Sequence, residues 1–236
     1  LLAILSGGSR DEAIDMASVF KSFDEGLHTE ARALAEKLEE EGSLPSDEWG
    51  GPAFILGALA MQEAQDASEK EKTERYLTAS RYLRAAYNRG FPPQRKAEGL
   101  YLLGKSLYLG GRLSECRPVL QLALKANPSK QGEIHGWLAD AAMREVPPAL
   151  DQALADNTAR LADTSLSRDD RNEALLQRVR ILFRMGRLTE CAAVLDKMKD
   201  QVRMAGEVAI LRGRILCREA QVLAAQKKPP ADAKQK

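Results

Sequence analysis

Residues Ala97 to Pro128 read AEGLYLLGKSLYLGGRLSECRPVLQLALKANP. Before the Gly110-Gly111 pair, Leu100, Leu103, Gly104 and Leu107 recur at three- and four-residue spacing. That spacing sets one glycine among leucines on a single helical face. After the pair, Cys116, Leu120, Ala123 and Leu124 repeat the spacing, and Pro128 closes the stretch. Two amphipathic helices folded back on a glycine turn are expected. A glycine inside a helix costs about 1 kcal/mol relative to Ala, so Gly104 belongs where a missing side chain lets a neighbouring helix approach. One such hairpin cannot bury its apolar face alone, so it implies others.

Similar stretches lie on both sides. GRLTEC at 186–191 copies GRLSEC at 111–116, which puts Cys191 at the place of Cys116. Leu175, Val179, Leu182, Leu195 and Met198 fill the corresponding places between Asn172 and Arg203. Aligning Gly26 with Gly111 gives a first hairpin. Its opening helix is expected from about Arg10 to Phe23, behind the capping-box spacing of Ser9 and Glu12. Its second helix runs from Thr29 to Glu41 with Ala31, Leu34, Ala35 and Leu38 inward. Pro45, Gly50, Gly51 and Pro52 then mark a loop, in which Trp49 is expected to plug the core. From Ala53 a further hairpin uses Leu56, Leu59 and Ala60, then Ala79, Leu83 and Ala86. Its charged link QDASEKEKTE either lengthens both helices or projects as a loop.

The pattern fades between Ile134 and Asp163. Trp137, Leu138 and Ala141 lie on one helix, and Pro147-Pro148 is expected to open the next. Asn157 and Arg160 stand where bulky and small residues belong, so this segment reads as a weak hairpin or a spacer. Pro118 is tolerable if its helix starts at Ser114, and a kink is expected otherwise. A last helix from Gly206 to about Ala225 has Gly213 and Leu216 in register and no second helix, which reads as a C-terminal cap. KKPPADAKQK, residues 226–236 with Gln226, reads as a disordered polar tail.

The order bulky, apolar, Gly, bulky, then small, bulky, Ala, then Pro over about 34 residues resembles the tetratricopeptide repeat. YLRAAYNRG at 82–90 gives residues 76–111 a resemblance to Sel1-like repeats as well. The resemblance implies an all-α fold, a right-handed α-α superhelix of about five hairpins plus a C-terminal capping helix. Residues 1–225 would form one solenoid domain.

Composition agrees with a helical chain and narrows the function classes. The 236 residues are 44% hydrophobic, 29% charged and only 5% aromatic. No stretch offers the roughly 18 continuous apolar residues of a membrane span. Three cysteines, an odd number, argue against a disulfide framework, and Cys116 and Cys191 read as core filler. The net charge of +1 hides an asymmetry: residues 1–75 carry 7 Lys/Arg against 17 Asp/Glu, and residues 76–236 carry 28 against 17. No basic run with interleaved aromatics points to nucleic acid. The chain opens on Leu1 rather than Met, as expected of a fragment or processed chain whose leader or anchor lies out of view. Cytoplasmic residence and a membrane-tethered or periplasmic setting are therefore both open.

The resemblance further implies that the first helices of successive hairpins line a concave groove. Their outward residues here are Lys105 and Tyr108, then Arg180, Phe183 and Arg184, then Arg214 and Arg218. Lys105, Arg180 and Arg214 share one position and would form a row, matched to an acidic segment or a free C-terminal carboxylate. Solvated helix charges account for the same residues. The carboxylate clamp of chaperone-binding relatives does not carry over, because Tyr101 and Leu176 replace its lysines. His28 and His135 are isolated, and no metal spacing, nucleophile elbow or phosphate loop appears. A noncatalytic adaptor or scaffold is expected, with no cofactor or metal and with protein or peptide partners. The alternatives are the soluble part of an envelope-assembly protein and a module that self-associates, as a homodimer, through its oppositely charged halves.

Overall fold

Three hairpin turns share one geometry in the computed structural model, which describes residues 14–42, 44–198 and 205–226. Gly26, Gly111 and Gly186 lie in the left-handed region at φ 78°, 76° and 76°. Each glycine N–H donates to the carbonyl three residues back, Phe23, Tyr108 and Phe183, at 3.1 Å. The following N–H, of Leu27, Arg112 and Arg187, donates to the carbonyl five residues back at 2.8, 2.8 and 2.9 Å. This double closure satisfies carbonyls that a helix end leaves orphaned, and glycine alone takes the required φ without a Cβ penalty.

The described chain is helical, with no strand among the described residues. It divides into two compact units, residues 1–126 and 127–236. The first holds α1 (Met16–Asp24), α2 (His28–Glu41), α3 (Gly51–Asp66), α4 (Glu69–Arg89), α5 (Lys96–Leu109) and α6 (Leu113–Ala126). Each helix packs on the next. In addition α3 touches both α1 and α5, whereas α2, α4 and α6 do not touch one another among the described residues. The run AFILGALAM makes α3 the buried axis of this unit, apolar all round as a helix enclosed on every side requires. Phe54 sits between Phe20 and Phe91 at centroid distances of 6.3 and 6.2 Å. A Cβ on Gly57 would lie 2.6 Å from Leu83 Cγ, and one on Gly104 2.5 Å from Leu120 Cδ2. Both glycines therefore mark close helix approaches within their hairpins.

Two expectations for this unit change, and two left open are decided. The first helix begins at Met16, capped by the Asp15 carboxylate, which accepts the Ser18 N–H at 2.8 Å; Ser9 and Glu12 lie outside the described residues. Trp49 is 54% exposed and plugs nothing. The loop closes instead through Gly50, whose backbone approaches the end of α4 so closely that a Cβ would fall 2.1 Å from the Gly90 carbonyl oxygen. The charged link lengthens both α3 and α4 around a short break at Ala67-Ser68. Pro118 lies in the second turn of α6, and the helix runs through it.

The second unit holds α7 (Gln131–Arg144), α8 (Leu150–Ala162), α9 (Arg168–Arg184), α10 (Leu188–Asp196) and α11 (Ala205–Gln226). Each packs on the next, and α9 also touches α7 and α11. Residues 134–163 form a helix pair, but Pro147-Pro148 precede α8 rather than opening it. The Ala149 N–H instead donates back to the Ala142 carbonyl at 2.9 Å, and α8 starts one residue later. Asn157, which looked out of place, is fully buried. Its amide donates to the Ala174 carbonyl at 2.8 Å and to Gln177 Oε1 at 3.1 Å, while Gln177 donates to the Gly136 carbonyl at 2.9 Å. A polar network thus joins α7, α8 and α9 where a bulky residue was expected at 157; the amide nitrogens of Asn157 and Gln177 are paired, while Asn157 Oδ1 is buried without a partner among the described residues.

Leu176, Val179, Leu182, Cys191, Leu195 and Met198 form the apolar core between α9 and α10, completed by Val208, Leu211 and Ile215 of α11. This corrects the expected register of α11. Nothing lies within 4 Å of a Cβ built on Gly213, and Leu216 is 65% exposed. The reason is topological. Val179 and Leu182, at the matching places of α9, pack with Cys191 and Leu195 of α10, and among the described residues no second helix follows α11.

Candidate functional site

Along α9, Arg180, Phe183 and Arg184 follow at three and four residues and so share a face. The same spacing aligns Asp140, Met143 and Arg144 on α7, and Glu207, Ile210 and Arg214 on α11. These three faces converge on one groove of about 450 Å³. Met143, Phe183, Ile210 and Leu211 supply its apolar surface, and four arginines against two carboxylates make it basic.

Local pairing decides which of those arginines is available. Arg144 Nε meets Asp140 Oδ2 at 2.8 Å. Arg180 pairs with Glu207 across α9 and α11. Arg184 Nη1 donates to the Met143 carbonyl at 2.6 Å, which ties α9 to the end of α7. Arg214 has no hydrogen bond or ion pair among the described residues and is exposed. The Arg180–Glu207 pair is exposed on both sides, so it is worth no more than about 1 kcal/mol and yields readily to a competing anion, whereas Asp140 is largely buried beside Arg144.

Of the residues expected in the groove, Arg180, Phe183, Arg184 and Arg214 come together here. Arg218 lies one turn further along α11, exposed and outside the lining. Lys105 and Tyr108 belong to the other unit, half-buried on α5, with Lys105 Nζ 5.8 Å from the Tyr101 ring centre. Sequence reasoning missed Asp140, Met143, Arg144, Glu207 and Ile210. The signal was the i, i+3, i+4 spacing on α7, hidden because the hairpin around Asn157 looked too polar to be one.

The histidines stand apart from this groove. His28 opens α2, its ring 6.2 Å from that of Phe23. His135 Nδ1 lies 3.1 Å from Asp156 Oδ1, and Gln152 holds the other carboxylate oxygen at 3.1 Å. No group of His, Cys, Asp and Glu suited to a metal ion occurs among the described residues. Among the same residues no helix is long and apolar enough to cross a membrane. Burial pushes the Cys191 thiol up to about 11, so at neutral pH it is a protonated packing group and a poor nucleophile.

No protein-family model matches the chain, and comparison with curated proteins finds no match.

Proposed function

We propose that this chain is a noncatalytic scaffold of tetratricopeptide-like hairpins, coiled as a right-handed solenoid, that holds an acidic peptide segment against the α7, α9 and α11 groove. The observation that carries the reading is the convergence of Arg180, Phe183, Arg184 and Arg214 on one basic, partly apolar groove. Two features support the solenoid. Three hairpins turn through the same glycine geometry. Within each unit the first helices touch one another while, among the described residues, the second helices do not, the asymmetry that curves a stack toward its first-helix side.

Chemistry selects the ligand. Arg214 offers an unspent fork for one carboxylate, and a second carboxylate displaces Glu207 from its exposed pair with Arg180. Apolar side chains between those acids rest on Phe183, Met143 and Ile210. Short peptides alternating Glu or Asp with Leu or Phe are the probes, read by fluorescence anisotropy. Binding is expected to weaken with salt, and Arg214→Glu to raise Kd about 10- to 100-fold, the worth of a charge-assisted hydrogen bond. Arg218→Glu, outside the lining, is the control. Equal affinity for acidic and basic probes, or no effect of Arg214→Glu with Arg180→Glu, overturns the reading.

A further inference from the structure

Helix α11 carries a second surface, on the side away from Arg214 and Arg218. Ala209, Gly213, Leu216, Ala220 and Leu223 fall within roughly 80° of one another on a wheel of about 100° per residue. No charge interrupts them, and Leu216 and Leu223 are 65% and 56% exposed. In the earlier hairpins the corresponding face is covered by a second helix: Gly57 meets Leu83, Gly104 meets Leu120, and Gly136 meets Arg160. At Gly213 nothing is met. The ten residues after α11, KKPPADAKQK, contain no Leu, Ile, Val, Phe or Met with which to cover it.

The geometry points to a second copy of this chain as the occupant, its α11 lying antiparallel on the first. The stripe is self-complementary about Leu216. With that residue at the two-fold axis, Ala209 faces Leu223 of the other copy, and Gly213 faces Ala220 within one residue. Large then meets small at both ends of the seam, and the small Gly213 and Ala220 on either side of the axial Leu216 pair let the backbones approach. The charges on the rim obey the same centre. Arg212 and Glu219 flank the stripe on one side, and about the same axis each Arg212 falls opposite the other copy's Glu219. A parallel pairing would instead set this flank of each helix beside the other copy's opposite flank, where Ile210, Cys217 and Ala224 carry no charge to meet it. Arg212 already reaches the Leu195 carbonyl at 3.2 Å and Asp196 at 3.6 Å, yet its side chain stays 41% exposed. The paired helix takes the place that a second helix fills in the other hairpins, and the peptide groove stays open because Arg214, its arginine from α11, lies on the far side of that helix.

Sedimentation of the full chain across a concentration series, with cross-linking by a short bis-maleimide, tests this. Cys217 lies beside Leu216 and is exposed, whereas Cys116 and Cys191 are buried. The expected result is a dimer linked through Cys217. Leu216→Glu puts two carboxylates at the axis and is expected to weaken the dimer on the order of 100-fold or more. Circular dichroism should show that the fold is kept, since Leu216 is exposed in the monomer. A reversed charge in Glu219→Arg should weaken the dimer less. A chain that stays monomeric at about millimolar concentration, a limit at which even a weak 4 kcal/mol association is populated, overturns the proposal. So does a dimer that Leu216→Glu leaves intact or that Cys217 does not link.

Discussion

Replacing Gly57 and Gly213 by alanine, one at a time, should move stability in opposite directions. Both glycines lie inside helices at matching places, so both gain up to about 1 kcal/mol of helix propensity, which cancels in the comparison. What differs is the neighbour. A Cβ at Gly57 would sit 2.6 Å from Leu83 Cγ, 2.9 Å from Cδ2 and 3.1 Å from the Leu83 backbone nitrogen. Leu83 is fully buried, and its branch point and main chain cannot step aside as a side-chain tip would. Overpacking of this kind costs about 1–3 kcal/mol. At Gly213 the new methyl meets nothing within 4 Å. Gly57→Ala should therefore be about 1–3 kcal/mol less stable than Gly213→Ala, each measured against wild type. Urea unfolding followed by circular dichroism reads the difference, in dilute protein so that mass action keeps association out of the result. Equal shifts for the two variants would refute the idea that Gly57 is there to admit a neighbouring helix.

Three further outcomes follow from the placement of Asn157 and of the cysteines. Asn157→Leu should destabilise the second unit by about 1–3 kcal/mol, because it removes two buried hydrogen bonds, to the Ala174 carbonyl and to Gln177 Oε1, and leaves the latter only Arg160 Nη1 at 3.3 Å; thermal unfolding checks this. A thiol titration of the native chain should find one fast group, Cys217, and three after unfolding. Between pH 9.0 and about 11 the unfolded chain releases the Cys191 proton while the folded chain keeps it. This residue's contribution to stability is therefore full below that window and falls as pH rises through it, and Cys191→Ala should flatten the decline.

The glycine turns and the leucine faces of α5, α6, α9 and α10 are legible in the sequence because local spacing alone specifies them. Trp49 was misread because a large apolar ring in a loop suggests burial, while the actual closure is a backbone contact through Gly50 that hydropathy does not register. The α7 and α8 pair was obscured because its inward Asn157, and Gln177 on the neighbouring helix, look like surface residues until their partners on other helices are known. Gly213 and Leu216 keep the periodic spacing, yet spacing says which residues share a face and not whether another helix lies against it. Four of the ten lining residues, Arg180, Phe183, Arg184 and Arg214, followed from the repeat register. The contributions of α7 depended on recognising a hairpin whose apolar core also holds a buried polar network.

The exposed ring of Trp49 has a practical consequence. The chain has only one other indole, Trp137, half-buried on α7, so each unit carries a single tryptophan in a different setting. Replacing either by phenylalanine leaves a tryptophan emission, excited selectively over the five tyrosines, that belongs to one unit alone. Whether the two halves melt together or in turn can then be followed by spectroscopy without any added label.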